Sequence, residues 1–214
     1  AGRGVDLVFV IDTTGSMFEE IDQIKSTLSS VIVPGIQGRV PDAWFGAGWF
    51  ADFAYGTYGD ASTDKPFVLL QTMTDDVGAL QTAVNSITNA AGMDWPESHV
   101  EALYQTATGE GLGSWVDPYP CATGTGAACF RPGSMPIILL ITDAPMHNGP
   151  PGTTADAYAG ITPAPHTWEQ AVTALNAVHA RVVGLSSEAA ATTDAWHDMA
   201  ATAEATGTLD PAGN

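Results

Sequence analysis

The sequence has very little positive charge. Six Lys and Arg stand against 24 Asp and Glu, giving a formal net charge of −18. DNA, RNA and anionic lipid each require a basic patch, so the balance argues against all three as partners. It suits cation binding and solubility in an ionic medium, and most of these acids read as a generic acidic surface. Long hydrophobic runs are missing too: none approaches the roughly 20 residues of a membrane span. No signal peptide precedes the first apolar run, so an excised domain or a processed chain is expected. Cysteine is scarce. Cys121 and Cys129 flank a short, Gly-rich stretch that a disulfide closes easily, which points to an oxidising compartment, with two free thiols as the alternative. Their spacing does not match a zinc ribbon. What is there is ordinary in bulk: 214 residues with 45% apolar content read as a single domain, 1–214, with a full core.

The most informative stretch is Val5-Asp6-Leu7-Val8-Phe9-Val10-Ile11-Asp12, followed by Thr14 and Ser16 at alternate positions. An apolar, β-branched run of this kind reads as a buried parallel strand. Its carboxyl end is where open α/β sheets place ligands. Asp12, Thr14 and Ser16 are then expected to face one crevice. One carboxylate and two hydroxyls are hard oxygen donors, suited to Mg²⁺ or Ca²⁺.

Helical spacing of Phe18, Ile21, Ile24, Leu28, Val31 and Ile32 predicts a helix stopped by Pro34-Gly35. Ala43 to Phe53 reads as a central strand approached closely by a neighbour, because it is aromatic and Gly-spaced. Phe67 to Met73 is the next strand. The link between them leaves no room for a helix, which predicts an antiparallel hairpin at the sheet edge. Asp75-Asp76 opens a helix on Val77, Leu80, Val84 and Ile87. Asn89 to Glu97 reads as a loop, and Ser98 to Ala107 as a helix with Val100, Leu103, Tyr104 and Ala107 inward. Gly109 to Met135 reads as an ordered surface excursion. Pro136 to Thr142 is the most hydrophobic run, a central strand that again ends on an acid, Asp143. After a Pro/Gly-rich loop, Thr167 to Ala180 is a helix, Arg181 to Leu185 a strand and Ala191 to Thr206 a helix. The tail beyond Gly207 is too short for a further strand and helix. This order predicts an α/β fold: a doubly wound, Rossmann-like, mostly parallel sheet with one antiparallel edge strand and helices on both faces. Three acid-bearing segments then converge on one rim: Asp12, the Asp94–Glu97 loop, and Asp143.

Three passages carry a family resemblance. Asp12-Thr13-Thr14-Gly15-Ser16-Met17, followed by Glu19-Glu20, resembles the metal-ion-dependent adhesion site of von Willebrand factor A domains, whose first motif is Asp-x-Ser-x-Ser. Asp94-Trp95-Pro96-Glu97 resembles the Asp-x-Pro-Glu-Gly motif of integrin β I-like domains. Leu140-Ile141-Thr142-Asp143-Ala144-Pro145-Met146-His147 resembles their Thr-Thr-Asp-Ala-Lys-Thr-His. Order and approximate spacing agree over nearly the whole chain. The resemblance implies a central Mg²⁺ (or Mn²⁺) held by Asp12, Thr14, Ser16, Glu97 and Asp143. It implies an adjacent Ca²⁺ at Glu19 and Glu20, where the family has two acids and a further ligand after its last strand. It implies another Ca²⁺ at Asp52, Asp94, Glu97 and the Pro96 carbonyl; the family's Asn two positions before the loop Asp is Gly92 here. The family's last strand and helix are expected to be missing. The Ala54–Pro66 link lacks the integrin loop disulfide, so an integrin heterodimer is not expected. Lys occurs only at Lys25 and Lys65 in a chain rich in Ala, Gly and Thr, which is compatible with a microbial surface protein.

The implied function is adhesion. An ion with few charged ligands stays electrophilic, and an Asp or Glu of a protein partner completes its shell. Glu97 adds charge and is expected to weaken that binding unless neighbouring ions offset it. The implied location is extracellular or at the cell surface, and the domain is not expected to be an enzyme. The alternatives are a Ca²⁺-stabilised scaffold and a phosphatase of the haloacid dehalogenase type. The latter wants a second Asp where Thr14 stands. A serine hydrolase is a weaker alternative still, because Gly15-Ser16 lacks the Gly-x-Ser-x-Gly elbow. Each motif also has a plain structural reading: Ser16-x-x-Glu19 as a capping box, and Asp94-x-Pro96-Glu97 as a helix start. His99, His147, His166, His179 and His197 show no ligand spacing; His147 is placed at the rim and the others at surface or boundary positions.

Overall fold

A computed structural model describes residues 4–152, 157–187 and 193–209. Five strands form one sheet: β1 (Val5–Asp12), β2 (Ala43–Phe50), β3 (Val68–Thr74), β4 (Met135–Thr142) and β5 (Arg181–Ser186), in spatial order β3-β2-β1-β4-β5. β1 runs parallel to both β2 and β4, and β4 parallel to β5. Only β3 is antiparallel, at the edge beside β2. This is the expected α/β sheet with its single antiparallel edge. β1 is central because it is apolar on both sides. Val8 and Val10 enter one core, with Leu103 of α4 (His99–Thr108), Leu175 of α5 (Trp168–Ala177) and Met199 of α6 (Asp194–Ala205). Leu7, Phe9 and Ile11 enter the other, with Ile21 of α1 (Phe18–Thr27) and Leu80 and Val84 of α3 (Val77–Asn85). Alternate side chains of a strand point to opposite faces, so a strand covered on both faces must be apolar throughout. Each such fully buried side chain contributes roughly 1.5–3 kcal/mol.

β3 lies close against β2. A Cβ on Gly46 would come 2.9 Å from Gln71 O, and one on Gly48 would come 3.0 Å from Val68 O. The register shifts twice along this pair, between Phe45 and Gly48. Glycine is therefore required by backbone approach and bulging, as its spacing suggested.

Three expectations need correction. Pro34-Gly35 does not stop the first helix. After α1 the chain widens into a π-helical turn over Leu28–Ile32 and continues as α2 (Val33–Gln37). Val33 N donates to Leu28 O, five residues back. The wider turn takes in a proline that lacks an N–H and would clash with the carbonyl four residues before it. Gly109 to Met135 is not only a surface excursion either: its Leu112, Val116, Ala127, Ala128 and Phe130 are buried in the α4 core. His99, placed at the surface or boundary by its sequence, is completely buried. The start of the last predicted helix, Ala191, lies outside the described residues.

Candidate metal centre

The loops after β1 and β4 and the loop 89–97 meet at the carboxyl ends of the parallel strands. Asp12, the last residue of β1, has no exposed surface. Thr14 N and Thr14 Oγ1 both donate to its Oδ1, at 2.9 and 2.7 Å. Thr142 Oγ1 donates to its Oδ2 at 2.7 Å. Having spent its one hydrogen there, Thr142 accepts from Ala144 N at 3.1 Å and faces His99 Nε2 at 2.7 Å. Ser16 Oγ donates to Asp143 Oδ1 at 2.9 Å, joining residues 127 apart in sequence. The capping-box reading of Ser16 therefore fails. The N-terminus of α1 has no side-chain cap, and the serine turns to the rim instead. Ser16 is exposed while Asp12 is not, so this group opens to solvent on one side.

Backbone hydrogen bonds hold the loops together. Thr13 N donates to Phe50 O at 2.9 Å and Ala90 N to Thr13 O at 2.8 Å. Glu97 N donates to Pro145 O and His147 N to Glu97 O, each at 3.0 Å. Ala91 N and Gly92 N donate to the buried Asp64. Gly92 has φ +59, and a Cβ there would meet Glu97 Oε1 at 2.9 Å and Thr14 Cγ2 at 3.3 Å. Only glycine fits that conformation beside those neighbours.

A second group lies beside the first. Asp52, Asp94 and His147 each offer one ligand atom, and these atoms lie within 4.8 Å of one another, so the group can hold a metal ion. His147 Nε2 is 3.1 Å from Asp94 Oδ2 and 3.6 Å from Asp52 Oδ2. Asp52 follows the end of β2, whose exit is fixed by Ser98: its Oγ bonds Ala51 O at 2.8 Å and Pro66 O at 2.9 Å. Asp52 Oδ1 accepts from Phe53 N at 2.5 Å and from the Tyr158 hydroxyl. Its Oδ2 is buried with no hydrogen-bond partner, as is Glu97 Oε2.

The electrostatics follow from burial without bases. Burial pushes Glu97 up to about 11, reinforced by Asp12 on one side and Asp52 and Asp94 on the other. Glu97 thus lies between the two groups. Burial also pushes Asp52 up to about 8, against the hydrogen bonds from Tyr158 and Phe53, and Asp12 to about 6, against those from Thr14 and Thr142. It pushes His99 down to about 3, which keeps the ring neutral. Among the described residues no Lys or Arg pairs with Asp12, Asp52, Glu97 or Asp143. A divalent cation fits such a set: it supplies the missing charge and satisfies the orphaned oxygens.

Of the sequence-predicted ligands, hydrogen bonds link Asp12 with Thr14 and Ser16 with Asp143, and Glu97 and Thr14 both border Gly92. Asp52 and Asp94 are also brought together; Pro96 is half-buried on the same loop. Glu19 and Glu20 stand apart on the first turn of α1, where they line an apolar groove with Ile24, Leu139 and Leu185. Sequence reasoning placed His147 at the rim but missed it as a candidate ligand, and missed His99 as the support of Thr142. Neither has a local spacing signal; both depend on contacts across the fold.

No family model matches the sequence, and no curated protein matches it. Among solved structures, proximal thread matrix protein 1 from the mussel byssus is similar, with a TM-score of 0.47 and 11% identity. The similarity covers 86% of this chain, which spans only 38% of that one.

Proposed function

We propose that this chain is a von Willebrand A-type domain of the integrin β I-like kind, and that it binds an acidic residue of a partner protein through a divalent ion at the rim. Asp12, Thr14, Ser16, Asp143 and Glu97 would hold that ion, Mg²⁺ or Mn²⁺. When bound, the ion supplies an electrophilic position for a carboxylate. The chain's own residues do the rest. Thr14 and Thr142 fix the two oxygens of Asp12, Ser16 fixes Asp143, and the exposed Ser16 edge leaves the approach open. Met93 and Trp95 are exposed on the neighbouring loop, 57% and 51%, and offer apolar contact beside it. The observation that carries the reading is Ser16. Its hydroxyl leaves the helix it precedes uncapped and reaches across the fold to Asp143. The Cys121–Cys129 disulfide supports an extracellular or cell-surface setting.

The test is Mg²⁺ titration of chelator-stripped protein, followed by binding of an Asp-containing peptide library in Mg²⁺ and in EDTA. Asp12→Ala or Asp143→Ala abolishes Mg²⁺-dependent peptide capture with an unchanged circular dichroism spectrum. An unaltered Mg²⁺ titration in both variants rejects the site. Mg²⁺ binding with no peptide captured leaves a structural ion and rejects adhesion.

A further inference from the structure

The group Asp52, Asp94 and His147 differs in chemistry from the all-oxygen group around Asp12. Its third donor is an imidazole nitrogen. Mg²⁺ and Ca²⁺ take oxygen ligands, whereas imidazole suits Zn²⁺ and its neighbours in the first transition row. The spacing agrees. Ligands about 2.0–2.2 Å from a tetrahedral ion lie about 3.4 Å from one another. His147 Nε2 stands 3.1 Å from Asp94 Oδ2 and 3.6 Å from Asp52 Oδ2.

The ligands are also held in place. Asp52 is completely buried. One of its oxygens is occupied twice, by Phe53 N and the Tyr158 hydroxyl, and the other is left without a hydrogen bond and faces the imidazole. That arrangement presents a single ligating oxygen, with Tyr158 as the outer partner that orients it. The His147 ring is 1% exposed and packed between Tyr58 and Tyr158, at centroid distances of 5.1 and 4.3 Å. It has no room to swing away. Two carboxylates and one neutral imidazole would leave a divalent ion electrically balanced, with a fourth position for water.

We infer that Asp52, Asp94 and His147 form a binding site for a borderline divalent ion of the Zn²⁺ class, separate from the hard-ion position at Asp12 and Asp143. The inference does not depend on the adhesive reading, because it uses no residue of the ligand-binding edge. It replaces the Ca²⁺ expected at Asp52 and Asp94 with an ion that prefers nitrogen.

The test uses the 214-residue chain, stripped with chelator and saturated with Mg²⁺, then titrated with Co²⁺ as a coloured stand-in for Zn²⁺. One equivalent of Co²⁺ binds with a visible d–d spectrum, is displaced by stoichiometric Zn²⁺ and is not displaced by millimolar Ca²⁺. His147→Ala weakens Co²⁺ binding more than about 100-fold, and Tyr158→Phe weakens it by about 10- to 100-fold as an outer-partner loss should. Asp143→Ala leaves the Co²⁺ spectrum intact, which separates this site from the central one. Should His147→Ala unfold, Zn²⁺-dependent stabilisation of the Asp143→Ala protein and anomalous scattering at the zinc edge give the same answer. Three results overturn the inference: no Co²⁺ bound under saturating Mg²⁺, displacement by Ca²⁺ as readily as by Zn²⁺, or Co²⁺ affinity unchanged in folded His147→Ala.

Discussion

Asp6 and Asp12 stand near the two ends of one strand, and neither has any exposed surface. At the amino end, Asp6 is answered from within the protein. Arg131 N donates to its Oδ2 at 2.5 Å and Arg131 Nε to its Oδ1 at 2.7 Å. The same guanidinium reaches Asp42 at 2.7 Å and lies 4.5 Å over the Trp44 ring. At the carboxyl end, Asp12 has only hydroxyls and an amide, with Glu97 and Asp143 close by. A buried charge needs a partner, a proton or an ion. The amino end carries its own base, whereas the carboxyl end has none and is where the proposed cation would sit. Burial of an acid is thus no signature of a metal site by itself; burial without a base leaves a proton or an ion to answer the charge.

The sharpest way to break this contrast is to make the two ends alike. Arg131→Ala leaves Asp6 buried with only the residue-131 N–H to answer its charge, and should cost about 3 kcal/mol in a denaturant melt. It should leave the Mg²⁺ titration unchanged; a Mg²⁺ defect would mean that the two ends are not independent.

A smaller effect comes from pH. Asp12, Asp52 and Glu97 have folded-state pKa values raised to about 6, 8 and 11. Between pH 5 and 8 the folded state therefore holds protons that the unfolded state has lost. Stability contributed by such groups is fully present below the unfolded values and disappears as pH rises through the folded ones. His99, lowered to about 3 from 6.5, acts in the opposite direction up to pH 6.5, but it is one group against these three and Asp198, which burial also raises to about 6. Protein held in EDTA should melt several degrees lower at pH 8 than at pH 5. Glu97→Gln should flatten that slope, and Mg²⁺ should restore stability at pH 8. A melting temperature that climbs with pH in EDTA would contradict the assignment.

The smallest effect concerns an acid used for neither purpose. Asp76 caps α3 by accepting from Gly78 N and Ala79 N. Asp76→Ala should cost about 1 kcal/mol and leave metal affinity untouched. Loss of metal binding there would show that the acidic surface as a whole, and not the rim, gathers the ions.

Much of this was legible in the order of residues. The two apolar runs ending on Asp12 and Asp143 announced buried parallel strands, and the short Ala54–Pro66 link announced the antiparallel edge. These are local signals: strand period, turn residues and link length. What was not legible depended on distant contacts. Nothing in the spacing of His99 tells that it supports Thr142, or that His147 meets Asp94, 53 positions earlier. The burial of Leu112, Val116 and Phe130 was hidden because they sit singly among glycines and prolines, with no period to read. The π-turn before Pro34 was hidden because a proline in the sequence marks a strained helix and a finished one in the same way.

The pair of amide bonds between Glu97 and the Pro145–His147 turn acts as a yoke. Glu97 hands its N–H to Pro145 and takes the N–H of His147, so neither segment shifts without dragging the other. A docked partner that tugs on Trp95 would be felt two residues from Asp143, and again at the imidazole of His147. Under the proposed reading, an ion in either position would brace the strap that carries its neighbour's ligands, tightening the second site without being required for it.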